Sequence, residues 1–217
     1  MTYNEGLASL AARAKWTRGF LWAFIAISVL GIPIGLTARF VQQLSISPVV
    51  AGIVTLIYLG LSLLVSLALL AMIPAWTYRA WANLHVLGLS GLGYRPGWAA
   101  GSYFVPIAGL FVPFLAMREL FNRSTGETED HARASAPDVT SWWACYLAGV
   151  FVTAFILMTA IFNLNGAVFI VTSPMMDFVI SIFANLLLIG AAWFLLRTIR
   201  DITVAQASSA GISETFA

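Results

Sequence analysis

A cluster of polar and aromatic residues directly after the second apolar run is the first place where side chains could do chemistry. Trp76, Arg79 and Asn83 are spaced i, i+3 and i+7, which places them on one face if the stretch is helical. The arginine can donate several hydrogen bonds and stack on an aromatic ring, and the asparagine can both donate and accept. Three uses of this face stay open: anchoring at the level of lipid headgroups, docking of the chain that follows, or contact with a ligand.

An apolar stretch from Pro96 to Met117 is the second place of interest. It has no charged residue and is long enough to cross a membrane, but three prolines and three glycines interrupt it. Broken backbone survives at membrane depth only where protein or water satisfies its polar groups. We therefore expect a re-entrant or interfacial element rather than a fifth span. The candidate interaction and structural residues are Trp76, Arg79, Asn83, Arg95, Pro96, Trp98, Pro106, Pro113, Arg118 and Glu119.

Residue types that often catalyse reactions or bind metals form no recognisable pattern. His85 and His131 are the two histidines, and the acidic loop around His131 lacks the turn pattern of a calcium site. Glu119 and Arg123 are spaced i, i+4, and we expect them to pair on the exposed face of a short amphipathic helix. Nucleophile and phosphate-loop motifs are absent from the sequence. We expect no catalytic residue, no metal and no cofactor.

The order of motifs around these candidates is similar to that of a known family. After Trp76, Arg79 and Asn83 come Gly88, Tyr94-Arg95-Pro96-Gly97-Trp98-Ala99, Pro106-Ile107-Ala108, Pro113 and Arg118-Glu119-Leu120. This order resembles the bacterial membrane family called domain of unknown function 4328, over about residues 50–200 and most specifically over 76–123. Where that family has Pro-Ile-Ala-Asn, this chain has Gly109. The resemblance implies a bacterial multi-pass membrane protein and no particular activity.

The composition requires that most of the chain face lipid or other apolar surface. Hydrophobic residues make up 60% of the sequence and charged residues 9%, and the mean hydropathy is +0.91. A soluble domain carries about 25% charged residues. The composition therefore excludes a soluble enzyme and a nucleic-acid-binding module, and the single cysteine, Cys145, excludes an internal disulfide.

Four long uncharged runs predict four transmembrane helices, because crossing about 30 Å of hydrocarbon takes about 20 helical residues. We predict spans at residues 19–38, 49–73, 142–163 and 178–196. Pro48 and Pro74 are expected to mark the ends of the second helix. No ionisable residue lies inside these spans, which disfavours an ion-coupled transporter, and Asn185 is expected to join two helices.

The N-terminal residues are expected to form a separate short helix. Leu7, Leu10, Ala11 and Ala14 share one face of a helix over residues 5–17, a pattern typical of a helix in the membrane interface. We interpret the apolar run that follows as a retained anchor rather than a signal peptide, because its apolar core is too long and no small-residue cleavage site follows.

The distribution of basic residues decides between four and five spans. With four spans and a cytoplasmic N-terminus, ten of the eleven basic residues face the cytoplasm and only Arg39 faces outward. A fifth span would divide them almost evenly, against the positive-inside rule. We therefore predict both termini in the cytoplasm, a polar cytoplasmic loop at 124–141, an interfacial or re-entrant region at 74–123, and one membrane domain over 1–217.

Two functional hypotheses follow from this sequence. The first is a non-enzymatic membrane module that acts through contacts, as an accessory or scaffold subunit of a membrane complex or as a regulatory protein. The alternative is a lipid- or amphiphile-handling protein with a cytoplasmic-side cavity, whose basic rim would be Arg79, Arg95 and Arg118 together with Glu119. The expected location is the bacterial cytoplasmic membrane. The expected partners are the lipid bilayer and either a membrane protein or an anionic lipid, without nucleic acid.

Overall fold

Six α-helices form most of the described chain, which comprises residues 2–39, 47–164 and 173–215 of the computed structural model. The long helices are α1 (Tyr3–Arg39), α2 (Pro48–Val86), α5 (Pro137–Leu164) and α6 (Pro174–Thr215), and the short ones are α3 (Pro96–Gly101) and α4 (Val112–Ser124). Single 3₁₀ turns lie at Ser102–Phe104, Ala108–Leu110 and Glu129–His131. Since these described residues contain no strand, the predicted all-α fold is confirmed.

Within the described ranges, four helices are long and apolar enough to cross a membrane: α1, α2, α5 and α6. The most apolar window of each has a mean hydropathy between 2.1 and 2.5. In α2 and α5 only 6% of that window is buried inside the protein, so most of its apolar side chains face outward. Lipid solvates such a surface, whereas water would drive it to associate. The prediction of four transmembrane helices is confirmed.

The second helix continues through Pro74, so the prediction that this proline ends it is wrong. With 39 residues, α2 is about 58 Å long, roughly twice the thickness of the hydrocarbon layer. Pro74 leaves the carbonyl oxygen of Leu70 without its helical N–H donor, so the continuation of α2 depends on packing against a neighbouring helix. Beside Pro74, Nη1 of Arg13 on α1 donates to the carbonyl oxygen of Ala75 at 2.6 Å.

The actual end of α2 is set by a glycine. Gly88 has φ +70°, a left-handed conformation that glycine adopts without steric cost. Its N–H donates to His85 O at 3.1 Å, and Leu89 N–H donates to Leu84 O at 3.5 Å. These two bonds are the Schellman pattern that closes a helix with its last carbonyls satisfied.

The N-terminal residues are part of α1 and do not form the separate interfacial helix that was predicted. Leu10 and Ala14 are buried, at 0% and 4% exposure, whereas Ala11 is exposed. The apolar face of residues 5–17 therefore packs against protein rather than lying in a lipid surface. The predicted face is therefore right for Leu10 and Ala14 and wrong for Ala11, and the elements that cover it are α2 and α6.

The largest buried side chains lie where the helices extend beyond the apolar runs. α6 continues past Arg197 and Arg200, where the sequence predicted its end, and α1 and α2 extend at the same end of the bundle. We call this region the lobe, and define it as residues 3–18, 74–136 and 197–208. Its fully buried side chains include Leu10, Trp76, Trp81, Leu84, Met117, Leu120, Ile199 and Ile202.

Candidate functional site

The broken segment, residues 96–117, consists of short helical pieces separated at its prolines. Pro96 and Pro113 stand in the first turns of α3 and α4, where a missing N–H costs no helical hydrogen bond. Val105 is extended, with φ −98° and ψ 116°, because Pro106 follows it and a residue before proline is driven out of the helical region. The prediction that prolines break this stretch is confirmed.

The outer side of the broken segment is apolar. Ile107 is 77% exposed and Phe111 is 62% exposed, and Phe104, Trp98 and the ring of Pro106 are exposed beside them. The inner side is small and fully covered, since Ala99 and Ser102 have no exposed surface. The segment therefore presents large apolar side chains outward from a closely packed base.

Hydrogen bonds from other elements hold the broken segment in place. Trp143 Nε1 on α5 donates to the carbonyl oxygen of Leu110 at 3.3 Å. Glu119 on α4, only 3% exposed, accepts a hydrogen bond from the backbone N–H of Gly93 at 2.7 Å. The free backbone groups that irregular chain creates are thus satisfied in part by side chains, as a buried or membrane-embedded segment requires.

Trp76, Arg79 and Asn83 share one buried face of α2, as their spacing predicted. Their exposures are 0%, 7% and 0%. Arg79 donates from Nε at 2.9 Å and from Nη2 at 2.6 Å to Asn83 Oδ1. The docking hypothesis pointed from this face to the broken segment, but Asn83 Nδ2 donates to Gln206 Oε1 on α6 at 3.1 Å. The pair therefore joins α2 to α6, and Trp143 on α5 is a side-chain donor to the broken segment.

Gln206 is the residue of this cluster that sequence reasoning missed. It is 1% exposed, and its Nε2 donates to Ala80 O at 3.2 Å and to Ser124 Oγ at 3.0 Å. One side chain thus connects α6, α2 and the end of α4. A signal was present, because Gln206 continues the i, i+3, i+7 spacing of Ile199 and Ile202.

Asn122, a second missed residue, organises the polar loop. It is 4% exposed, and its Nδ2 donates to the carbonyl oxygens of Ala132 and Ala134, each at 3.0 Å. The loop 124–141 is therefore fastened to α4 by one amide. The sequence contains no signal for this contact, because every residue has a backbone carbonyl and the residue types therefore do not reveal which ones accept.

The expected ion pair between Glu119 and Arg123 is wrong, as is the exposed position of Glu119. Glu119 points inward to Gly93, while Arg123 donates to Glu127 O at 2.8 Å and Ser90 O at 2.9 Å. Burial, reinforced by the negative charge of Glu119, raises the pKa of the Tyr94 hydroxyl. Glu119 thus acts at the junction between α4 and the turn before α3.

The predicted basic rim does not exist as a common surface. Arg79 and Glu119 are buried and bonded inside the lobe. Arg95 is exposed, and Arg118 lies over the Phe114 ring at 5.2 Å from its centroid. Nε of Arg118 is buried without a hydrogen-bond partner among the described residues. Arg95 alone keeps an open, basic position beside the broken segment.

An apolar cleft of about 340 Å³ lies between the four long helices, directly inside the broken segment. Tyr103 lines the cleft at that end, and its buried hydroxyl lies beside Thr77. The Thr77 hydroxyl donates to Ile73 O at 2.9 Å. The other lining residues of the cleft include Phe24, Leu69, Leu70, Trp142, Tyr146 and Leu188.

Within the described residues, no group of three His, Cys, Asp or Glu side chains could hold a metal ion.

Four lipid-facing helices, a buried lobe at one end and a Pro-broken segment define a multi-pass, all-α membrane protein. The family model of the domain of unknown function DUF4328 matches residues 39–204. The chain therefore belongs to that family, which confirms the resemblance read from its motifs. No curated protein and no solved structure matches the chain.

Proposed function

We propose that the protein is a non-enzymatic membrane module that acts through contacts, as an accessory or scaffold subunit or a regulatory protein. The supporting observation is the broken segment, which presents Trp98, Ile107 and Phe111 outward from a fixed base. A single plain helix would have been the simpler way to occupy this length of chain. Aromatic and aliphatic side chains on a rigid support are the usual anchors of a protein contact.

The polar residues of the lobe support a role through contacts rather than catalysis. Arg79 bonds to Asn83, and Asn83 bonds to Gln206. Gln206 also bonds to Ser124 and to backbone, and Glu119 bonds to the backbone of Gly93. A catalytic group has to reach a substrate, with a base or metal partner at hand. These side chains instead fasten α2, α4 and α6 together behind the broken segment.

We place the protein in the bacterial cytoplasmic membrane with both termini in the cytoplasm. Ten of the eleven basic residues then face the cytoplasm. The bond from Tyr3 OH to Gln206 O at 3.0 Å supports two termini on one side, as four spans require. The broken segment would then enter and leave the membrane interface from the cytoplasm. Reporter fusions after residues 45, 130, 170 and 217 test this arrangement, and a periplasmic signal at 130 would contradict it.

The contact function is tested by purification from native membranes in mild detergent. The double variant Ile107→Ser and Phe111→Ser should lose the co-purifying membrane-protein partner while still inserting in the membrane. Phe155→Ser is the matched control, because Phe155 is 58% exposed on the apolar run of α5. If the double variant retains partners as well as the wild-type protein does, the broken segment is not the contact surface.

A second candidate function, binding of a lipid chain or small amphiphile, is favoured by the apolar cleft. Its volume of about 340 Å³ falls within the usual range of ligand pockets. Leu70→Trp should narrow its mouth, since Leu70 lines the cleft and is 51% exposed. Leu67→Trp, at 52% exposure on the same helix, is the control. Native mass spectrometry should show loss of a retained amphiphile in the first variant only, and equal retention in both would remove this candidate.

A further inference from the structure

A groove of about 320 Å³ lies between α1 and α6, at the boundary between their apolar runs and the lobe. Its lining residues are Arg18, Trp22, Trp193, Leu196, Arg197 and Arg200. Arg18 directly precedes the uncharged run of α1, and Arg197 directly follows that of α6. The groove therefore lies where a spanning helix passes from hydrocarbon to the headgroup layer.

The groove has an upper layer of arginines and a lower layer of tryptophans, and α1 and α6 each contribute to both layers. On α1, Trp22 is four residues deeper in the apolar run than Arg18, and on α6, Trp193 is four residues deeper than Arg197. Four residues are about 6 Å along a helix. The two indoles meet edge to face with ring centroids 5.8 Å apart. Two tryptophans thus form a floor about one turn below the arginines, as at a membrane interface.

The guanidinium groups keep donors available for a ligand. The side chain of Arg18 has no ion pair or hydrogen bond with any other described residue. Arg197 forms an ion pair with Asp138, in which Nε lies 3.1 Å from Oδ2. Arg200 forms a second pair, in which its Nε donates to Asp201 Oδ1 at 3.0 Å. Both pairs are partly exposed, at 49% and 58% for the arginine side chains, so they stabilise the fold little and an anion can compete with them.

We propose that this groove binds the phosphate of an anionic phospholipid headgroup, with the acyl chains running down beside Trp22 and Trp193. Three arginines face two carboxylates, which leaves an excess of positive charge, and arginine binds phosphate through paired N–H donors. Basic pockets between transmembrane helices recognise anionic headgroups in this way. This site is separate from the broken segment and was not among the residues singled out from the sequence.

A membrane lipid fits the groove better than a soluble phosphate does. The tryptophan floor is about half-exposed, with Trp22 at 51% and Trp193 at 46%. It offers apolar surface on the side from which a lipid tail would enter. A soluble phosphate would make no use of this surface.

The test is native mass spectrometry of the detergent-purified full chain, titrated with phosphatidylglycerol or with phosphatidylcholine of the same acyl chains. The wild-type protein should retain phosphatidylglycerol preferentially. Arg18→Gln should weaken the retention of phosphatidylglycerol about fivefold, and the double variant Arg18→Gln and Arg197→Gln should weaken it about 25-fold. Arg133→Gln, an exposed loop residue, is the control and should change nothing.

A gain-of-binding variant keeps the test decisive if the double variant folds poorly. Asp138→Asn removes the carboxylate that competes for Arg197, so it should increase retention of phosphatidylglycerol. Equal retention of both lipids, or unchanged retention in the double variant, would overturn the proposal. Displacement of phosphatidylglycerol by an equal concentration of inorganic phosphate would also overturn it, since the groove would then be a soluble-anion site.

Discussion

Gly6 lies against the buried polar pair of the lobe, and its substitution tests how the chain's N-terminus is packed. A Cβ on Gly6 would overlap the Arg79 guanidinium and the Asn83 amide. In an open helix, Gly→Ala is stabilising by roughly 1 kcal/mol through helix propensity. In this helix, Gly6→Ala has to push Arg79 and Asn83 apart, and hydrogen bonds to a charged group contribute about 1.5–3 kcal/mol. The expected net effect is a destabilisation of about 0.5–2 kcal/mol, opposite in sign to the propensity.

Gly19 provides the matched control on the same helix. Apart from the adjacent residues and the backbone of its own helical turns, no described atom lies within 4 Å of a Cβ placed there, so Gly19→Ala should gain the propensity term alone. Thermal unfolding in detergent, followed by far-ultraviolet circular dichroism, should show Gly6→Ala melting roughly 1–8 °C lower and Gly19→Ala roughly 2–4 °C higher than wild type. If both alanines raise the melting temperature, residues 3–18 do not pack on the Arg79–Asn83 pair.

Three further predictions follow from the lobe and the broken segment. Gln206→Ala removes the buried side-chain hydrogen bonds to Asn83, Ala80 and Ser124 and should lower the melting temperature clearly, whereas Ser208→Ala, at an exposed position, should not. Trp143→Phe removes the donor to Leu110 O, so it should speed hydrogen exchange in residues 102–111 without a large change in global stability. Trp142→Phe is the control, and equal exchange in the two variants would refute the anchoring role of Trp143. The pKa of the Tyr94 hydroxyl is higher in the folded protein than in the unfolded chain, where it is about 10. Above that pH the unfolded chain loses the Tyr94 proton more readily than the folded protein does, so the free energy of unfolding falls. Tyr94→Phe should therefore reduce the alkaline loss of melting temperature, and an unchanged pH profile would contradict the assigned burial.

The spans were predictable because one constraint dominates them. A helix in hydrocarbon cannot carry charge cheaply, so the uncharged runs showed both the number and the approximate positions of the crossings. The prediction that Asn185 joins two helices is confirmed, since its Nδ2 donates to Ser28 O on α1 at 2.8 Å. In lipid, a buried amide finds few partners other than a neighbouring helix.

The helix ends were not predictable by the same reasoning. The charged residues and Pro74 mark where the apolar runs end and the hydrocarbon layer is left behind, but they do not mark the helix ends. Both α2 and α6 continue beyond these points. Their continuation depends on packing against α1, which a single-helix pattern does not reveal. Glu119 was misplaced for a related reason, because its partner is the backbone N–H of Gly93 and not a charged side chain.

The central claim is that the broken segment contacts another membrane protein, and site-specific photo-crosslinking in native membranes tests it most directly. A photoreactive residue at position 107 should yield one discrete protein adduct. The same residue at position 157, where Leu157 is 60% exposed on the apolar run of α5, should yield lipid adducts alone. Lipid adducts without a protein adduct at position 107 would contradict the claim and make the broken segment a lipid-facing surface.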